Sequence, residues 1–164
     1  MTASTALEVL DNGNPDGSRV RGMHREIISG VGATRTLLAG ESGSLCLLDK
    51  ADGMTWTLPT PVEGMQFEFF TTVSVSGGSI KVVTATPASQ FLLGEVFTYT
   101  TATASGAGFA FNGTSHVAIT MQTGGTYGGL IGTRFICTAI STTQWLITGS
   151  LVGSGTIVTP AATS

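Results

Sequence analysis

The side chains able to ligate a metal, move a proton or attack a carbonyl are few in this chain and far apart. His24 and His116 have no His-x-His or Cys-x-x-Cys neighbour, so no tetrahedral zinc set is laid out along the sequence. Asn12, Asn14, Asp16 and Gly17 imitate the first half of a calcium loop. Asn stands where the leading Asp is needed, however, and Met23 where the bidentate Glu belongs, so the stretch reads as a pair of Asx turns. Ser42, in the run Gly40 to Ser44, lacks the closing glycine of a nucleophile elbow and has no partner histidine. Gly30-Val31-Gly32 and Gly124 to Gly128 are glycine-rich but precede no helix, so neither cradles a phosphate. Asn112-Gly113-Thr114 reads as a turn, and His116 just after it as an ordinary surface histidine. The expectation is a protein with no catalytic residue, no cofactor and no metal, and therefore not an enzyme.

Two groups have binding chemistry instead. Arg19, Arg21 and Arg25, with His24 among them, form a basic cluster that suits acidic groups on a partner or phosphates, and equally suits a solvated arm. Tyr127, in the loop Thr123 to Gly132, is the one aromatic placed for stacking on a sugar. Arg19, Arg21, His24, Arg25 and Tyr127 are thus the candidate partner-binding residues. Cys46 and Cys137 sit in strand-like runs, where a free thiol behaves as a small buried hydrophobe; a disulfide between them stays open.

The elements that must position these groups are strands. With 164 residues the chain suits one domain with a real core. Only 10% of residues are charged and 23 are glycine, a composition for pleated surfaces and turns. A net charge of −3 excludes the broad basic face that nucleic-acid binding needs. The charge is also unevenly spread. From Val96 to Ser164 the only formally charged side chain is Arg134, so this half stays soluble by presenting hydroxyls or by being covered by other subunits. The start of the chain has no basic n-region and no apolar h-region, and no apolar run is long enough to span a bilayer. Synthesis in the cytoplasm and no membrane partner are expected.

The organising stretch is Leu45 to Pro61, which reads as a β-hairpin. Met54, Trp56 and Leu58 alternate with Thr55 and Thr57, Asp52-Gly53 supplies the turn, and Pro59 and Pro61 end the pairing. Further strands are expected near residues 35–38, 65–73, 79–84, 91–99, 109–111, 116–121, 134–140, 144–148 and 156–159. Gly77-Gly78 and Asn112-Gly113 are read as hairpin turns, and Ala102 to Gly108 and Thr123 to Gly132 as loops. So many short strands fit two packed sheets. The expected fold is an all-β, antiparallel, jelly-roll-like β-sandwich over residues 34–164, ending in a short tail. Residues 1–33, which lack sustained periodicity, are expected to form an extended N-terminal arm.

The run Leu38 to Phe69 also resembles a pattern of small structural proteins from tailed bacteriophages. A leucine and Ser-Gly lead-in (Leu38 to Gly43) is followed by Leu47 to Asp49, by Thr57 to Pro59, and by a glycine-initiated aromatic strand, Gly64 to Phe69. Gln144 to Gly149 resembles the way such modules end. The family includes capsid decoration (cement) proteins and tail-fibre modules. The resemblance implies a virion structural protein on the outer surface of an icosahedral head, bound to the major capsid protein, forming a homotrimer and stabilising capsomer junctions. A tail-fibre or receptor-binding module that recognises carbohydrate is the alternative it implies.

Overall fold

The structure, a computed structural model, describes residues 25–101 and 105–164. Among these, the strands are β1 (Ile27–Ile28), β2 (Thr34–Thr36), β3 (Leu45–Leu48), β4 (Met54–Thr57), β5 (Gln66–Thr71), β6 (Ser79–Val83), β7 (Phe91–Thr100), β8 (Gly106–Asn112), β9 (Ala118–Gln122), β10 (Arg134–Ala139), β11 (Gln144–Gly153) and β12 (Ala161–Ala162). They form a seven-stranded sheet in the order β1-β3-β5-β10-β11-β7-β8 and a five-stranded sheet in the order β12-β9-β6-β4-β2. The two sheets pack face to face, so the fold is the expected all-β sandwich.

Its connectivity departs from the expected one. Five strand pairings are parallel and five antiparallel, so both sheets are mixed, whereas a jelly-roll-like sandwich is antiparallel throughout. The first six strands alternate between the sheets. β1, β3 and β5 lie parallel in one while β2, β4 and β6 lie parallel in the other, which winds residues 27–83 into a flattened coil. Leu45 to Pro61 is therefore not a hairpin, because β3 and β4 belong to opposite sheets. Cys46 and Leu48 from one side, and Met54, Trp56 and Leu58 from the other, all point into the same core. Alternation announced a buried face correctly but carried no information on which strand lies alongside.

The corners of this coil stack on one another, and that is what their glycines serve. Gly53 has φ +90°, and a Cβ on it would lie 2.4 Å from the Ser79 carbonyl oxygen. One on Gly78 would lie 2.3 Å from the carbonyl oxygen of Asp52. Gly77-Gly78 is thus a packed corner between β5 and β6, not a hairpin turn. Asn112-Gly113 likewise carries the chain from one sheet to the other. The Asn112 Oδ1 accepts from the backbone N–H groups of Thr114 (3.0 Å), Ser115 (2.9 Å) and His116 (3.2 Å). The hairpins that do form are β7–β8 and β10–β11, and Gly-Gly or Asn-Gly closes neither. The expected strand near 156–159 is absent; the tail pairs later, as β12 on β9.

The core is aromatic. Trp56, Trp145, Phe67, Phe69 and Phe135 have no exposed surface. Phe69 stacks on Phe135 at 5.0 Å between ring centroids and meets Trp56 edge-on at 5.9 Å, and Phe67 packs on Trp145 at 6.0 Å. These contacts join the coil to the later strands, so the molecule has one core. Cys46 and Cys137 are buried free thiols, on β3 and β10 with β5 between them. Burial pushes the Cys46 thiol up to about 12, and raises Cys137 further.

Residues 27–28, which the sequence places in the extended arm, pair with β3 as part of the larger sheet. Residues 1–24 lie outside the described residues, and with them Arg19, Arg21 and His24.

Candidate functional site

Among the described residues Glu68 is the one charged side chain that is buried, 6% exposed and on the outer side of β5. Two guanidiniums hold it: Arg25, just before β1, reaches one carboxylate oxygen, and Arg134, on β10, reaches the other. Arg25 also donates to the backbone carbonyls of Gly43 and Ser44, the latter at 3.1 Å. Hydrogen bonding from Arg134, and then from Arg25, outweighs the opposing effect of burial and holds the Glu68 carboxyl below the usual carboxylate range. Arg25, one of the candidate partner-binding residues, therefore spends its donors on its own sheet. It fixes the point at which the N-terminal segment joins the sandwich.

At the opposite end of the same sheet the surface has another character. β8 ends the sheet, and its run GAGFAFN contains no charged residue and no proline. Natural edges are usually guarded by charge, proline or shortness, and the other edge strands β1, β2 and β12 have only two or three residues each. On the outer face beside this edge, Phe97 and Tyr99 are 41% and 54% exposed, with ring centroids 4.7 Å apart. They stand opposite Gly108 and Gly106 in the ladder. The Phe97 ring leans over the bare backbone, so that a Cβ at Gly106 would lie 2.4 Å from it. Gly106 and Gly108 thus lie in a strand rather than in the expected loop, with the Phe97 ring over Gly106.

Phe97 and Tyr99 were not singled out from the sequence, although a signal for them exists. Leu92, Val96 and Thr98 are buried, so the alternate positions Glu95, Phe97 and Tyr99 share the solvent side. A charged residue in register with two aromatics marks that side as outward.

Tyr127 is half-buried beside a groove on the outer face of the other sheet, together with Lys81 and Gln122. No arrangement for acid–base or nucleophilic chemistry accompanies any of these places. Ser42 Oγ accepts from the Gln66 N–H at 3.1 Å. His116 is half-buried rather than a plain surface histidine: its Nδ1 accepts from the Asn112 N–H at 3.1 Å and its ring meets Phe111 edge-on. Among the described residues no group of three or more His, Cys, Asp or Glu is placed to hold a metal ion, and no helix is long and apolar enough to cross a membrane.

In comparisons with known proteins, no family pattern matches the chain, and no curated protein matches it.

Proposed function

We propose that this chain is a non-enzymatic virion structural protein: a decoration protein that docks on the outer face of an icosahedral phage head as a homotrimer and cements neighbouring capsomers. The observation that carries this reading is the unguarded β7–β8 edge with Phe97 and Tyr99 beside it, in a half of the chain whose only charge after Glu95 is Arg134. An exposed aromatic pair next to an unpaired strand edge is costly in a lone subunit and favours a neighbour. The lead-in and strand pattern of Leu38 to Phe69 supplies the kind of neighbour, the major capsid protein and other copies of this chain. Such a protein acts mechanically. Each docked copy buries area across a subunit boundary, and binding the assembled shell in preference to its dissociated parts raises the barrier to rupture.

The test is to mix purified protein with mature heads that lack it and measure co-sedimentation and the temperature at which the heads release DNA. Binding with a higher release temperature is expected, and the double variant Phe97→Ser/Tyr99→Ser should lose most of both. Heads that neither bind the wild type nor gain heat resistance would overturn the proposal. The reading as a tail-fibre module that recognises carbohydrate draws its support from the groove beside Tyr127.

A further inference from the structure

The two ends of the larger sheet differ in how much they leave open: β1 offers two residues to a neighbour and β8 offers seven. The hydrogen bonds flanking the β7–β8 ladder show which of the seven have spare capacity. The Gly113 N–H donates to the Leu92 carbonyl at 2.8 Å, and the Thr100 N–H to the Ser105 carbonyl at 3.1 Å. Antiparallel ladders alternate, so Ala107, Phe109 and Phe111 turn their N–H and C=O groups toward β7, while Gly106, Gly108, Ala110 and Asn112 turn theirs away. Asn112 closes the series, because its N–H donates to His116 Nδ1 at 3.1 Å. Gly106, Gly108 and Ala110 are left with ladder groups that face no described strand.

Length and charge say what can lie there. A strand of similar length is needed, and the other edge strands, β1, β2 and β12, have only two or three residues. Among the described edges, only β8 can match β8. A two-fold axis sets each charge near its own copy, which opposes pairing, but the run Gly106 to Asn112 carries no charge. The edge is compatible with itself.

We infer that β8 pairs with β8 of a second copy, antiparallel and about a two-fold axis at Gly108, joining the two seven-stranded sheets into one. In this register Gly108 faces Gly108 and Gly106 faces Ala110, and each facing pair exchanges two hydrogen bonds. No free ladder group of the three residues is wasted. On the outer face the joined strands form a strip almost without side chains, bordered on both sides by the Phe97 and Tyr99 rings that stand opposite Gly108 and Gly106. Glu95, the nearest charge, falls in the row of Tyr99 of the other copy and not beside its own equivalent. On the inner face Phe109, half-buried and packed against the core, meets Ala107 of the second copy. The four rings, 41% exposed for Phe97 and 54% for Tyr99, bring about 400 Å² to the contact, and the strand edges raise the total to near the ~1,000 Å² that a specific interface needs. A micromolar pair is expected, not a permanent dimer. The pairing names the neighbour at the open edge of the proposed function and rests on that reading of the edge, though not on docking to a head. It coexists with a trimer where the edge joins a subunit of one trimer to a subunit of the next.

The experiment is sedimentation velocity on the full chain over a range of concentrations, with Gly108→Pro beside the wild type. Proline there removes an N–H that points away from β7, so the subunit's own ladder is spared. The wild type should associate as concentration rises, and Gly108→Pro should halve the mass of the largest species. Cysteine pairing reads the register separately. A Cβ on Gly108 meets only the Phe97 ring, at 3.7 Å. In the pair the two Gly108 Cα atoms lie about 5.5 Å apart, within disulfide reach, whereas the two Ala110 Cα atoms lie about 14 Å apart. Gly108→Cys should therefore cross-link two copies on mild oxidation and Ala110→Cys should not, while Cys46 and Cys137 are buried away from the exchange. An association state that Gly108→Pro leaves unchanged would overturn the inference, as would a wild type that stays monomeric at millimolar concentration or equal cross-linking of the two cysteine variants. The cysteine pair decides the matter if the proline variant fails to fold. Pairing without binding to heads would sink the proposed function alone, and binding to heads by a chain whose Gly108→Cys variant does not cross-link would sink only the pairing.

Discussion

The coil of residues 25–83 and the later strands, from Phe91 onward, solve the same problem of solubility in opposite ways. The coil has short strands and carries most of the described charges at its ends and corners, among them Asp49, Lys50, Asp52 and Glu63. The later part has strands as long as ten residues, almost no charge, and the aromatic pair Phe97 and Tyr99 at an open edge. The first part is finished as it stands, because each turn of the coil covers the one before and charge guards what is left over. The second part ends in an open strand edge with two exposed aromatic rings beside it. The two meet where β6 pairs with β9 in one sheet and β5 with β10 in the other, and at the second seam the carboxylate of Glu68 on the coil grips Arg134 of the later half.

The largest effect should come from testing whether the halves are one cooperative unit. Trp56 belongs to the coil and Trp145 to the later strands, yet both rings are fully buried in the shared core. Trp56→Ala and Trp145→Ala should each cost about 3–5 kcal/mol, and each should unfold in a single transition. Two transitions in a urea titration followed by both circular dichroism and fluorescence would mean that the halves fold separately. Neither indole N–H has a partner among the described residues, so Trp→Phe should cost much less than Trp→Ala.

Next in size is the stacking of the coil's corners. Gly53→Ala places a methyl group against the Ser79 backbone at a positive φ and should cost about 1–3 kcal/mol by chemical denaturation. Gly40→Ala meets nothing within 4 Å and has no such φ, so it should be close to neutral. Equal costs would mean that the corners do not bear on each other.

The seam between the halves should respond to pH. The carboxyl of Glu68 titrates lower in the folded protein than when unfolded, where it lies at about 4.3. Its stabilisation is therefore complete above that value and is lost as the pH falls through the lower folded value. Glu68→Gln should have a lower melting temperature than wild type at neutral pH, and the gap should close as the solution is acidified. A gap that is constant with pH would show that the carboxylate's charge is not what joins the halves.

The smallest effect on stability should come from the open edge. Phe97→Ser and Tyr99→Ser remove exposed rings and should move the melting temperature of the dispersed subunit little, while lowering self-association in sedimentation velocity runs. An unaltered association state together with a large loss of stability would reassign the pair from a docking surface to a structural cover for the β8 glycines.

The sequence by itself determined the class of fold and which side chains are buried. Period-two alternation marks Met54, Trp56 and Leu58, then Met65, Phe67 and Phe69, then Val117, Ile119 and Met121, and Trp145 and Ile147 as core; all are buried except Met65, which is half-buried and packs against the core. It also marked Tyr127 as a loop aromatic and the later half as short of charge. Only the tertiary structure decided which strands are neighbours. A strand's alternation states which face is hidden but is the same whether its partner comes from the next segment or a later turn of a coil, so Asp52-Gly53, Gly77-Gly78 and Asn112-Gly113 all read as hairpin turns in the sequence and are corners between the sheets in the structure. The clamp was invisible for a related reason: Arg25 and Arg134 lie 43 and 66 residues from Glu68, with no local pattern linking them. Local sterics and burial are written residue by residue along the chain, whereas pairing across sheets depends on which edges remain unoccupied once the core has closed.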